Sequence, residues 1–279
     1  MHPAMHYADC DGRTVSYEAG GPDDGSAPLI LFQPPGASGA SIWRPVAAML
    51  QDRVRTAAVN PSGYGDTEAF AGPEPMTLRD EAALFAAVIR AELPNSRGRT
   101  AHIVGHSYGG TIALVLALAW PELVGRLTLL EPAPYVLLRE AGEAALAEEI
   151  EAQNRRFIAT VRAGRDAEAM EQYIDYFNGR PGYWRGLEDR AQARMLALAE
   201  RLAVGLDAVG RLDLRSADLA SVAAPVTVIR GGATDPLHGR LSKLVAQSIP
   251  EAALIDLPGA GHMMSLTHGT EIAEMLRAM

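Results

Sequence analysis

The side chain most able to do chemistry is Ser107, in the run Gly105-His106-Ser107-Tyr108-Gly109. An apolar stretch, 101–104, precedes it and another, 111–119, follows it, so the serine falls in a tight turn between a buried strand and a buried helix. A serine at such a turn is thrust outward on a strained backbone. Only glycine two residues before and two after leaves it room. This placement suits a nucleophile, and a serine hydroxyl becomes one only when a base takes its proton.

Of the seven histidines, His2 and His6 precede the core, His102 and His106 belong to the serine's own strand and turn, and His238 follows Asp235 too closely. His262 directly follows a last strand at 253–257, in a glycine-bracketed loop that carries it over the sheet edge. It is the expected base, and His268 is expected to begin the final helix. An acid must orient the imidazole. Asp235, at the end of a strand at 226–229, gives the order Ser, Asp, His and is the expected acid. Glu131 also ends a strand, one position nearer the serine, and is the rival.

A tetrahedral intermediate needs two N–H donors. One is expected from Tyr108, the residue after the nucleophile. The other belongs to the loop Gln33-Pro34-Pro35-Gly36-Ala37-Ser38-Gly39, where the prolines have no N–H. Ala37 is the choice and Ser38 the next, with Gly36 allowing close backbone approach. Gly36, Ser38, His106, Tyr135, Trp184 and Met263 are expected around the substrate, in an apolar pocket with few charges, roofed in part by aromatics near the 179–182 break. No His-Glu-x-x-His motif, Cys/His cluster or phosphate-binding glycine loop is present, so neither metal nor cofactor is expected.

The elements that must position these groups alternate. A hairpin turning at Asp11-Gly12 opens the chain, and strands are read at 29–32, 54–59, 101–104, 127–130, 226–229 and 253–257. Helices are read at 41–50, 77–93, 111–119, 239–248 and from 270. In the helix capped by Thr77 the apolar positions Leu78, Ala82, Phe85, Val88 and Ile89 keep helical spacing. Such alternation predicts an α/β fold, a mostly parallel sheet with helices on both faces, whose ligands bind beyond the carboxyl ends of the strands. The notable loops, 33–39, 60–66, 105–109, 131–134, 230–236 and 258–262, all lie at those ends. Residues 135–222 carry no strand pattern and read as an insertion of about three helices, at 138–163, 166–177 and 187–209.

Composition sets the outer limits. At 279 residues, 48% hydrophobic and 21% charged, the chain is long enough for one large buried core with an insertion. A net charge of −9 disfavours nucleic acid and anionic membrane surfaces as partners. The single cysteine, Cys10, excludes an intrachain disulfide, and neither a signal-peptide pattern nor a membrane-length apolar run is seen. A cytoplasmic location and a small-molecule partner are the expectations; oligomeric state stays open between monomer and homodimer.

Taken together, Gly105 to Gly110, the turn Gly63-Tyr64-Gly65, the Gly-x-x-Asp of Gly232 to Asp235 and the Gly-x-Gly-His of Gly259 to His262 resemble the α/β-hydrolase superfamily over nearly the whole chain. The resemblance implies eight strands with the second antiparallel, and a helical cap after the sixth. Core and cap would then divide as 1–134 with 223–279, and 135–222. This chain has Pro35-Gly36 where the superfamily usually has His-Gly. A serine nucleophile separates it from the aspartate-using dehalogenases and epoxide hydrolases of the same fold. The expected activity is cofactor-independent hydrolysis of a carboxylic ester or related acyl bond. The alternatives are C–C, thioester or lactone hydrolysis with the same residues and, from another class, a slow-turnover ligand sensor or a cofactor-free oxygenase.

Overall fold

A computed structural model describes residues 4–23, 27–94 and 98–279. The first three residues, including His2, lie outside it. Eight strands form one sheet: β1 (Ala4–Cys10), β2 (Arg13–Gly20), β3 (Leu29–Gln33), β4 (Arg55–Val59), β5 (Ala101–His106), β6 (Val124–Leu130), β7 (Val226–Gly231) and β8 (Ala253–Leu257). Their order is β1-β2-β4-β3-β5-β6-β7-β8. β2 runs antiparallel to both β1 and β4, and every other pairing is parallel. The hairpin turns at Asp11-Gly12, where both residues have positive φ and Cys10 pairs Arg13.

Alternation along the strands divides the core. In β3, Leu29 and Leu31 pack on one face and Ile30 and Phe32 on the other. Both faces are dry, which is why the parallel strands read as continuous apolar runs. The first face is covered by α2 (Leu78–Glu92) and α3 (Tyr108–Ala119); the second is covered by α1 (Arg44–Leu50), through Val46 and Leu50. α2 starts where Thr77 Oγ1 accepts the Asp80 N–H and Asp80 accepts the Thr77 N–H, a reciprocal cap whose loss costs about 1 kcal/mol. Ser41 does not cap α1. It lies inside a 3-10 turn, Ala40–Trp43, because Pro45 fixes the start of the α-helix proper.

Between β6 and β7 the chain is helical: α4 (Val136–Glu140), α5 (Ala144–Arg162), α6 (Asp166–Phe177), α7 (Asp189–Leu196), α8 (Ala199–Gly210) and α9 (Ser216–Leu219). Of the three helices read from periodicity, 166–177 stands whole as α6, while 138–163 and 187–209 are each subdivided. Gly142, at φ +78°, ends the first turn before α5 begins, and the chain bends at Ala197–Leu198 between α7 and α8. Phe157, Met170, Trp184, Leu202 and Leu206 give this segment an apolar cluster of its own, against which Ala37 of the β3 loop packs. The chain closes with α10 (Pro236–Ser248), α11 (Met264–Thr267) and α12 (Gly269–Ala278), which His268 precedes. α10 adds Leu241 and Val245 to the first face, and α12 adds Ile272 and Leu276 to the second. Among the described residues no helix is long and apolar enough to cross a membrane.

Candidate active site

Ser107 joins β5 to α3 at φ 53°, ψ −114°, a conformation that costs a non-glycine residue about 1–3 kcal/mol. The neighbouring glycines are sterically required. A Cβ on Gly105 would stand 2.5 Å from the Gly109 carbonyl oxygen, and one on Gly109 would stand 2.5 Å from the Gln33 carbonyl oxygen. The Ser107 N–H is held by the Leu130 carbonyl at 2.9 Å, tying the turn to the next strand.

His262 comes from the loop after β8. Its Nε2 is 3.0 Å from Ser107 Oγ, and its Nδ1 is 2.7 Å from Oε2 of Glu131. The expected partner, Asp235, is not there. Its Oδ2 lies 2.6 Å from Nδ1 of His238, and its Oδ1 accepts the His238 N–H as the cap of α10. The reason is local. Pro236 opens the helix, so the residue before it caps, and the ring three residues on is the nearest partner for the carboxylate. The carboxylate on the His262 imidazole is that of the rival, Glu131.

Glu131 is built for that place. It is fully buried, at φ +42° just beyond β6. Oε1 accepts the Gly231 N–H at 2.7 Å, and Oε2 accepts the Thr234 hydroxyl at 2.9 Å beside His262. Gly231 has to be glycine, since a Cβ there would meet the Ala260 carbonyl oxygen at 2.3 Å. Among the described residues five non-glycine positions have positive φ, and three of them, Ala37, Ser107 and Glu131, belong to this region. Such clustering of backbone strain marks functional sites.

The His262 ring is stacked on a second imidazole. The His238 and His262 centroids are 3.5 Å apart with planes at 20°, and the Phe177 ring of α6 lies 5.7 Å from that of His238, tilted by 49°. Burial and the neighbouring His238 push His262 down to about 4, against the pull of the Glu131 hydrogen bond. Burial would raise the Asp235 carboxyl, but the hydrogen bond and charge of His238 outweigh it and hold the group at about 2. Glu131, His238 and His262 offer ligand atoms within 4.8 Å of one another. Stacked rings aim their nitrogens side by side rather than at one point, which suits a tetrahedral ion poorly.

The cavity over Ser107 encloses about 540 Å³, part of it open to solvent. Its roof is α8, through Leu202, Gly205, Leu206 and Val209, with Tyr173 of α6. Of the residues expected around substrate, Gly36 and Tyr135 line it, while Ser38, His106, Trp184 and Met263 do not. His106 is fully buried and turned away, with Nδ1 on the Ser265 hydroxyl at 2.9 Å and Nε2 on the His262 carbonyl at 2.8 Å. Trp184 sits in the apolar cluster of the inter-strand helices, its backbone N–H donating to Asp175 Oδ1, so the 179–182 break does not supply the roof. Tyr108 is the first residue of α3, and its N–H has no acceptor one turn back. Ala37, at φ +57°, turns its N–H toward the Tyr64 hydroxyl.

The wall is not simply apolar. Glu81 and Arg201 line it, with Tyr64, Tyr108, Tyr135 and Tyr173. The sequence signal for Glu81 was a carboxylate on the apolar face of α2, one turn from Leu78 and Phe85.

Residues 29–275 match the alpha/beta hydrolase family. The chain is 27% identical over 258 residues to 2-(acetamidomethylene)succinate hydrolase of Mesorhizobium japonicum, covering 87% of this chain and 84% of that protein. It is 23% identical over 265 residues to a pimeloyl-[acyl-carrier protein] methyl ester esterase of Pectobacterium carotovorum, covering 91% and 94%. A hydrolase structure from Pseudomonas aeruginosa PA01 superposes with a TM-score of 0.77 at 23% identity, covering 98% of this chain and 97% of that one. With the match spanning six of the eight strands, the serine turn and the His262 loop, the chain belongs to the alpha/beta hydrolase family.

Proposed function

We propose that this protein is a cofactor-independent serine hydrolase of a carboxylic ester or related acyl bond, with Ser107, His262 and Glu131 as its triad. One observation carries the reading: a continuous Ser107–His262–Glu131 hydrogen-bonded chain, at 3.0 and 2.7 Å. His262 Nε2 takes the Ser107 proton as Oγ attacks the carbonyl carbon. The Tyr108 N–H, left free at the start of α3, holds the oxyanion. His262 returns the proton to the leaving oxygen, and water then repeats the sequence in reverse to free the acid. Residues 135–222 act as a cap over a core made of 1–134 and 223–279, and they choose the substrate.

A fluorophosphonate probe tests the reading. One adduct is expected by mass spectrometry, on Ser107, with loss of fluoride, and none in Ser107→Ala. A folded protein that takes up no probe refutes it.

The pH profile is a second check. His262 must be neutral to accept a proton, and its environment favours the neutral form. Activity is therefore present above the folded-state value and lost as pH falls through it. The acid limb of kcat/KM on an aryl ester is expected near pH 4, well below the 6.5 of an unperturbed imidazole. A limb at 6.5 would mean that burial does not govern this base.

A further inference from the structure

The polar wall of the Ser107 cavity is the feature that hydrolysis alone does not use. Glu81 is 1% exposed, and its Oε1 accepts the Ser62 N–H at 2.8 Å. Its Oε2 has no hydrogen-bond partner among the described residues, yet the side chain lines the cavity. A carboxyl oxygen without a protein partner at a cavity wall is free to bond a ligand, so a group that completes it gains that hydrogen bond. Beside it are Tyr64 and Tyr108, close enough for the Glu81 charge to act on both hydroxyls. Tyr173 closes the same wall from α6. None of the hydroxyls of Tyr108, Tyr135 and Tyr173 is engaged in a hydrogen bond among the described residues.

From this geometry we infer that the substrate carries a neutral hydroxyl group on the part distant from the scissile bond, and that Glu81, with the surrounding tyrosines, reads it. A hydroxyl is the fitting partner because it both donates and accepts, as a carboxyl and a phenol do. An ammonium group fits less well. Arg201 lines the same cavity at its exposed edge and repels a cation, and no second carboxylate lines the wall. Burial also draws Glu81 toward its neutral form, raising it to about 7. The inference rests on Ser107 being the nucleophile of this cavity.

The test compares p-nitrophenyl esters of hexanoate, 6-hydroxyhexanoate and 6-aminohexanoate. For the unmodified protein kcat/KM is expected to be about tenfold or more higher for the hydroxy ester than for hexanoate, with the amino ester below it. Glu81→Leu should bring the ratio of the hydroxy-ester to hexanoate kcat/KM values down to about one; Glu81→Gln, which still offers a polar atom to the cavity, should retain part of the preference. A merely structural role for Glu81 would scale all three esters alike and overturn the inference, as would equal rates for the hydroxy and plain esters, or a preference for the amino ester. Titration calorimetry of the same esters with Ser107→Ala reads selectivity without turnover. Failure of the hydrolase reading would show as lost probe labelling and lost turnover. Failure of the present one would show as equal binding of hexanoate and 6-hydroxyhexanoate.

Discussion

Ser107→Ala is expected to lower kcat on an aryl ester roughly a millionfold, to a residual set by the oxyanion donors and binding alone. The substitution removes one oxygen, the atom 3.0 Å from His262 Nε2. It leaves the turn as it was, because the strain at φ 53° belongs to the backbone and an alanine carries it equally. The melting midpoint should therefore stay within a few degrees of the unmodified protein while activity disappears; the lost Oγ hydrogen bond is worth only about 1 kcal/mol. Parallel thermal unfolding and initial-rate measurements separate the two. Substantial hydrolysis surviving in a folded Ser107→Ala protein would place the nucleophile elsewhere.

Glu131→Gln should be nearly as damaging, at about four orders of magnitude in kcat/KM. The surrounding hydrogen bonds dictate how the new amide must sit. The Gly231 N–H needs an acceptor at 2.7 Å, so the amide oxygen takes the place of Oε1 and the NH2 faces His262. His262 Nδ1 must then accept, which puts the ring proton on Nε2, opposite the serine. The ring sits in the wrong tautomer to take a proton from Ser107, and the carboxylate charge that would stabilise the imidazolium is gone. Asp235→Asn should cost no more than about tenfold. Asparagine caps a helix as well as aspartate, and the carboxylate it replaces meets His238 rather than the base. Measured kcat/KM for the two variants decides between the acids: a larger loss at Asp235 than at Glu131 would reverse the assignment. A modest effect at Asp235 is still expected, since it orients the ring stacked on His262.

The site was legible in the sequence wherever chemistry is fixed by local chain. Gly105-His106-Ser107-Tyr108-Gly109 has to be a strand-to-helix turn, because the Cβ positions at Gly105 and Gly109 would collide with main-chain oxygens and nothing but glycine fits. His262 follows its strand so closely that it has few other places to go. The strands β3 to β7 showed as apolar runs because both faces of the sheet are dry there, and Thr77 and Asp80 announced the start of α2. Pairings across the fold were not legible in the same way. Glu131 and Asp235 both end strands next to each other, β6 and β7, and chain order alone does not say which carboxylate reaches the imidazole. The Asp235-Pro236-Leu237-His238 stretch held the missing signal, a cap residue with its own ring partner three residues away.

Sequence by itself determined where Ser107 and His262 stand, since the serine's turn and the histidine's loop are each local and each sterically constrained. Only the tertiary structure decided which carboxylate meets the His262 imidazole, and that the cavity is walled by Glu81 and tyrosines rather than by the 179–182 aromatics. The physical reason is the same in both cases. A carboxylate's role depends on which groups outside its own segment compete for its oxygens and how much water they exclude, and those groups are brought to it by packing between β6, β7, α2 and α8, not by neighbouring residues in the chain.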